Sequence, residues 1–447
     1  MRRPRQSSRA GLSMARRSIA YGWSDRILVI GGGPAGMAAT EELRRQGFAG
    51  DITLLCDEPD APYDRPACSK SLLTGHARPQ DVRMPIDGSL EVNWMHGRRA
   101  VEIDMRRRSV LTQTDEEYPF DGLVLATGSY ASLPKGWPAG PGMHVLHSVD
   151  EAWQLRRDLR NAERIAIVGG GITGCETACA VRELAREAVM IDPKPYVMGR
   201  AVGEPVGYLI AEEHARFGVE MRLGRRVKEV ERRRGRWRLL LDDGSSVHAD
   251  IVVATLGEKP DTDFLEGAGI DISRGILCDE SLRVVGTEGE TVEGVVAAGA
   301  AVRWPNLLYS NEPMMVGQWI AAVEMGHAAA RTLLAGDREM PPVGIVPRYW
   351  TLQNGLRVMV AGDFKPTDHI VMTEMRPGRK DTARAGVMAS YYRDDELVGL
   401  IAVNAARAFT EVTRAMLIDT PVRVAPKPKS QPESTRTASR RRLAAVS

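Results

Sequence analysis

A strand, a glycine turn and a helix occur twice in this chain, and that repetition restricts the fold more than any other feature. In residues 26–47, RILVIGGGPAGMAATEELRRQG, a short apolar run meets Gly31, Gly32 and Gly33, and helix formers follow from Pro34 to a closing Gly47. In such a turn the first glycine (Gly31) permits a sharp bend, the second (Gly33) lets the backbone approach a pyrophosphate, and the third (Gly36) lets the helix pack closely on the strand. The helix N-terminus supplies free N–H groups and a positive dipole end, so a dinucleotide is the expected occupant. An acid ends the next apolar run, ITLLCDE, at Asp57, where a ribose hydroxyl pair would lie. The unit closes with FDGLVLATGS, a buried strand running into Thr127 and Gly128, where bare backbone can lie against a ligand.

Residues 163–184, ERIAIVGGGITGCETACAVREL, begin the second copy at Gly169. It continues through AVMID, ending in Asp192, to ADIVVATLGEKP at 249–260. Both copies run from a glycine turn to an apolar strand ending in Ala-Thr, so two dinucleotide domains of like design are expected. One such module serves binding, whereas two point to transfer between two cofactors. Asp192 favours NADH over NADPH, because a carboxylate repels a 2′-phosphate; Lys194 beside it softens that preference.

The expected fold class is α/β: two Rossmann-like dinucleotide-binding domains plus a C-terminal α+β domain. Residues 24–146 and 266–340 form the first domain, 147–265 are inserted within it as the second, and 341–424 form the third, where RDDEL between apolar runs reads as a hairpin turn. The formal charge of +2 divides into +6 on residues 1–23, +5 on residues 425–447 and −9 on the body between them. The two basic tails read as disordered, solvated charge runs. The acid-free N-terminus also fits a transit peptide, or an upstream start with Met14 as the true one. No apolar run reaches the roughly 18 residues that span a bilayer, and neither a membrane nor a nucleic-acid partner is expected. Five cysteines without disulfide or zinc spacing indicate a reducing compartment, the cytoplasm, and no metal.

The segment PYDRPACSKSLL at 62–73 carries a sharper signal. With GGGPAG, LVLATGS, GGGITGCE, the AVRWPN loop, VPRYWTLQNGLRVMVAGD and LVGLIAVN in order, the chain resembles the FAD-dependent ferredoxin reductases of the putidaredoxin and rubredoxin reductase type, within the glutathione-reductase-like flavoproteins. The resemblance implies that Ala35 and Gly36 contact the FAD pyrophosphate, Asp57 its ribose and the Ala100 backbone its adenine end. Arg65 and Lys70 would lie over the flavin, and Trp319 would pack on the isoalloxazine side. Lys70 is the implied catalytic residue, since a fixed cation stabilises the negative charge of the reduced ring. For the second nucleotide it implies Gly169, Gly171, Gly174 and Glu176 at the turn and helix start, and Gly257 beside the nicotinamide. Read from the sequence alone, Lys70 also fits a surface loop and Glu176 a solvated helix face.

Three positions depart from the family pattern. Ala300 stands where an Asp is usual, Gly317-Gln318-Trp319 where Glu-His-Trp is usual, and His147 where an Arg is usual. Losing one charge-assisted hydrogen bond costs about 1.5–3 kcal/mol, roughly a ten- to hundredfold loss of FAD affinity. The implied activity is transfer from NAD(P)H, NADH preferred, to FAD and on to a small iron–sulfur ferredoxin or rubredoxin that supplies an oxygenase such as a cytochrome P450. Two alternatives stay open: a single-cysteine NADH oxidase or peroxidase using Cys68, and a nucleotide-binding sensor or scaffold with weakened FAD binding.

Overall fold

The computed structural model describes residues 21–22, 24–59, 62–375 and 386–419. The two basic tails fall, apart from Tyr21 and Gly22, outside them.

The central strands of the first sheet carry buried apolar stretches, Ile27 to Ile30, Leu54 to Leu55, Leu123 to Leu125 and Val295 to Ala297, the pattern of parallel strands covered on both faces. Its order is Arg283–Val285, Thr291–Ala297, Gly122–Leu125, Arg26–Ile30, Asp51–Leu55, Val92–Met95, parallel except for the outermost Arg283–Val285. The helices Pro34–Arg45 and Trp319–Ala335 pack together so tightly that a methyl group at Gly326 would stand 2.2 Å from the Ala35 carbonyl oxygen. Ion pairing between Arg331 and the fully buried Glu42, at 3.0 Å, joins the same two helices.

A second, fully parallel sheet runs Val219–Leu223, Glu187–Asp192, Arg164–Val168, Ile251–Ala254, Met143–Val145. Met143–Val145, the three residues just before the expected break at 146, therefore pairs inside the second sheet. Its side chains are only half-buried and its three residues are too few to show a period, so the sequence offered no strand signal there. Each sheet carries a three-stranded antiparallel meander just before the parallel strand that pairs with its glycine-turn strand, Ala100–Pro119 before Gly122–Leu125 in the first copy and Val227–Ala249 before Ile251–Ala254 in the second. The chain leaves and re-enters the first unit along a two-stranded ribbon, Ser129–Ala131 against Glu258–Pro260.

The third sheet is antiparallel, Arg348–Gln353, Leu356–Gly362, Glu396–Val403, Gly386–Arg393, His369–Met375, with the helix Ala406–Asp419 following it. The expected hairpin forms at Asp394 and Asp395, both at positive φ (50° and 64°), the turn whose twist matches that of the flanking strands. One apolar cluster binds all three parts: Leu72 and Leu73 from the first, Ile165, Ile167 and Val253 from the second, and Val358, Val360 and Ile401 from the third. No helix among the described residues is long and apolar enough to cross a membrane.

Candidate functional site

The two glycine turns are built alike to within a few tenths of an ångström. A methyl group at Gly31 would lie 2.1 Å from the Ala126 carbonyl oxygen, and one at Gly169 would lie 2.2 Å from that of Thr255. Both glycines hold φ near +110°, so neither space nor backbone admits another residue. At Gly36 and Gly174 the added methyl would stand 1.9 Å from the carbonyl oxygen of Gly31 and of Gly169, which fixes each helix against its own turn. At Gly33 and Gly171 it would meet nothing within 4 Å. Those two residues are the N-caps of Pro34–Arg45 and Ile172–Glu183, and neither helix start receives a side-chain cap. Each turn thus offers uncapped N–H groups facing open space, with Ala35 beside the first, and this is the cradle a pyrophosphate needs.

The acids sit where expected but are not idle. Asp192 accepts the Gly170 N–H at 2.7 Å and the Lys194 N–H at 2.8 Å, which ties the second acid to the second turn. Asp57 pairs with Arg99 at 2.6 Å, and Arg99 reaches Asp261 at 3.0 Å. Asp261 in turn bonds through its backbone to the Thr127 hydroxyl (2.6 Å) and the Gly128 carbonyl (3.0 Å). Ala100 opens the adjoining strand Ala100–Asp104, buried next to Arg99. Gly257, at φ +109° with open space beside it, stands at the end of the second sheet.

Lys70, from the first unit, reaches the helix that begins at the second turn. Its ammonium contacts Glu176 Oε1 at 2.7 Å and the Pro66 carbonyl at 3.2 Å, while a third of the side chain stays exposed. Glu176 is 5% exposed, so it is no solvated helix residue. Its carboxylate also accepts the hydroxyls of Ser69 and, at 2.6 Å, Thr351. Ser69 and Lys70 come from the first unit, Glu176 from the second and Thr351 from the third. A charge buried with that many donors is held in one place.

A model of the pyridine nucleotide-disulphide oxidoreductase family matches residues 25–326. The chain belongs to this family. Among curated relatives, the probable ferredoxin reductase CtmF of Castellaniella defragrans is 29% identical over 393 residues, 86% of this chain and 92% of that protein. The rubredoxin-NAD(+) reductase of Pseudomonas putida is 27% identical over 388 residues, 85% of this chain and 95% of that protein. The crystal structure of the ferredoxin reductase for the CYP199A2 system from Rhodopseudomonas palustris shares the fold, with a TM-score of 0.80 at 24% identity over 89% of this chain and 95% of its own.

Pyridine nucleotide-disulphide oxidoreductases take half their name from a redox cysteine pair, but all five cysteines of this member are free. Cys68 is 3% exposed and packs among Tyr63, Leu72, Leu73 and Leu146. Burial pushes its thiol up to about 12 despite the opposing charge of Arg65, so it stays protonated at neutral pH. Arg65 pairs with Glu58 and donates to the His147 carbonyl, both at 3.1 Å. His147 bonds through Nδ1 to Glu258, whose other oxygen accepts the Ser129 hydroxyl at 2.5 Å across the crossing ribbon. Burial alone would raise the Glu258 carboxyl; the hydrogen bonds and charges of His147, Ser129 and Arg65 outweigh it and hold it at about 2.

Ala300 and Gly317 are neighbours. A methyl at Gly317 would stand 3.9 Å from the Ala300 Cβ, and one at Gly299 would stand 3.0 Å from the Ala35 Cβ, so both small residues lie beside the first cradle. Trp319 opens the helix that packs on that cradle and is half-buried there. Ala35, Gly36 and Gly299 thus stand at the first turn, and Gly174 and Asp192 at the second, while Lys70 and Glu176 join the first unit to the second unit's helix. Sequence reading missed Arg99, Ser69, Thr351 and Glu258. Ser69, Glu258 and Thr351 all sit inside stretches that had already been read, but nothing local tells that Thr351 meets Glu176.

Proposed function

We propose that this chain is an NADH-dependent FAD oxidoreductase of the ferredoxin reductase kind, which delivers electrons to a small iron–sulfur ferredoxin or to rubredoxin. The observation that carries this reading is the pair of open glycine cradles, together with the Lys70–Glu176 ion pair that joins the first unit to the helix of the second cradle. The names of the curated relatives, a ferredoxin reductase and a rubredoxin-NAD(+) reductase, support the choice of acceptor.

In this reading the unit built on residues 24–146 and 266–340 holds FAD. Gly31, Gly33, Ala35 and Gly36 receive its pyrophosphate, Asp57 its ribose and the Ala100 backbone its adenine end, while Thr127 and Gly128 border the ligand and Arg65, Lys70 and Trp319 surround the ring. The unit 147–265 holds NADH at Gly169, Gly171 and Gly174, with Asp192 on the ribose and Glu176 and Gly257 toward the nicotinamide. Residues 341–424 form the third unit. FAD, when bound, accepts two electrons together and releases them singly, which a nicotinamide cannot do. Lys70, fixed by Glu176, would hold an ammonium near the ring, where a fixed cation would stabilise negative charge. Asp192 selects NADH, because a 2′-phosphate would face a carboxylate already anchored to the turn. The five free cysteines support a cytoplasmic setting.

The test is direct. Purified protein should be yellow, should bleach anaerobically with NADH faster than with NADPH, and should reduce a ferredoxin or rubredoxin, or cytochrome c as a substitute. Colourless protein that NADH does not alter after FAD is added would overturn the reading. The adjacency of Ala300 and Gly317 favours one qualification of it: FAD is held below full occupancy.

A further inference from the structure

The strand Arg348–Gln353 is inside out. Its apolar Trp350 and Leu352 are 61% and 55% exposed, while its polar Thr351 and Gln353 are 0% and 1% exposed. Apolar surface is ordinarily buried and polar groups solvated, so this inversion runs against the folding energy unless the buried groups are bonded. They are bonded, in one continuous line. Thr351 Oγ1 lies 2.6 Å from Glu176 Oε1, Gln353 Nε2 lies 3.3 Å from Thr351 Oγ1, His214 Nε2 lies 3.1 Å from Gln353 Oε1, and Asn354 Nδ2 lies 3.2 Å from His214 Nδ1. His214, on the helix Gly203–Arg216, is 1% exposed.

The carboxylate end fixes the direction of every bond. A carboxylate only accepts, so the Thr351 hydroxyl gives its proton to Glu176 and receives one from the Gln353 amide. That leaves Gln353 Oε1 as the acceptor facing His214, so the His214 proton sits on Nε2 and Nδ1 accepts from Asn354. All four donors therefore point one way, toward Glu176 and the Lys70 ammonium bonded to it, and aligned hydrogen bonds strengthen one another.

We propose that Asn354, His214, Gln353 and Thr351 form a positioning relay that fixes the Glu176 carboxylate and, through it, the Lys70 ammonium. The relay draws its members from the second and third units and acts on a residue of the first, so the placement of one side chain depends on how all three meet. Its bearing on electron transfer rests on the reading of Lys70 as the cation beside the flavin; its bearing on Lys70 itself does not.

The experiment reads Lys70 directly. In the apoprotein and in the FAD-loaded protein, the rate at which acetic anhydride acetylates Lys70 is followed by peptide mass spectrometry and normalised to the exposed Lys135. Thr351→Val and Gln353→Leu, which keep bulk but remove the donors, should raise that rate about fivefold or more. Thr351→Ser, which restores the hydroxyl, should return it to wild type, and the flavin midpoint potential should move in the first two variants but not the third. Leu239→Ala, a core truncation in the meander, serves as a control for destabilisation alone and should leave Lys70 unchanged. Unchanged acetylation in either Thr351→Val or Gln353→Leu, with only a lowered Tm, would overturn the relay. If Thr351→Val does not fold, Gln353→Leu alone decides. Failure of the wild type to hold FAD would sink the flavin reading and leave the apoprotein labelling to judge the relay.

Discussion

Replacing Gly33 by alanine separates folding from cofactor binding. The new methyl group enters a point with no protein atom within 4 Å, on backbone angles (φ −76°, ψ −174°) open to any residue. Stability of the apoprotein should therefore change by less than about 0.5 kcal/mol. A bound pyrophosphate alters the outcome, because the methyl takes the space its oxygens need at the helix start. Losing one charge-assisted hydrogen bond there costs about 1.5–3 kcal/mol, or roughly ten- to hundredfold in Kd. Gly36→Ala is the opposite case: its methyl would stand 1.9 Å from the Gly31 carbonyl oxygen, so overpacking of about 1–3 kcal/mol should lower Tm even without cofactor. Gly171 and Gly174 repeat the same pair of conditions in the second turn, which supplies an internal control. FAD affinity is read by fluorescence quenching of the apoprotein, stability by thermal melts and the second site by the KM for NADH. Gly33→Ala should weaken FAD at unchanged apoprotein Tm, and Gly171→Ala should retain FAD while raising the KM for NADH. A Gly33→Ala protein that binds FAD like wild type, or a Gly171→Ala protein that loses FAD instead of NADH affinity, would refute the assignment of the two cradles.

Cys68→Ser should leave NADH-driven reduction of cytochrome c within a few-fold of wild type, because the buried thiol is protonated at neutral pH; loss of a peroxide-reducing activity in that variant would show a redox thiol instead. Ala300→Asp should raise the FAD retained through purification, read as the ratio of flavin to protein absorbance, and full occupancy in both proteins would show that the missing carboxylate is not limiting. Lowering the pH should destabilise the fold through His214. Burial lowers its pKa below the usual 6.5, against the raising effects of Gln353 and Glu213, so the unfolded chain takes up a proton near pH 6.5 while the folded protein does not. The stability present above pH 6.5 is thus lost as pH falls from there toward the folded-state pKa. His214→Gln should flatten that part of the Tm–pH curve, and an unaltered slope would assign it to other groups.

Both glycine turns were legible in the sequence because everything they require is local: a bend, an open cap and a close helix, each demanding glycine within six residues. Lys70 was legible through the motif around it. The burial of Glu176 was not, since the Thr351 that helps to enclose it lies 175 residues further on. The third sheet showed its hairpin in RDDEL, a turn set by two adjacent residues. It hid the role of Arg348–Gln353, where alternation reads correctly as a strand but the usual rule assigns the wrong face to the core. Met143–Val145 escaped for a related reason: it is a strand only because Val252, Val253 and Ala254 lie beside it.

The split of the first sheet has a consequence for how the chain is made. Leu123 pairs with Val295, about 170 residues later, whereas the second sheet is complete within residues 143–254. At a synthesis rate of about 5–20 residues per second, the fully apolar strand Gly122–Leu125 waits roughly 10–30 s for its neighbour Thr291–Ala297, long after the second sheet has all its strands. During that interval the nascent protein presents an open parallel edge, the kind of surface that invites wrong pairing. A chaperone that shields that edge should therefore raise the yield of native protein.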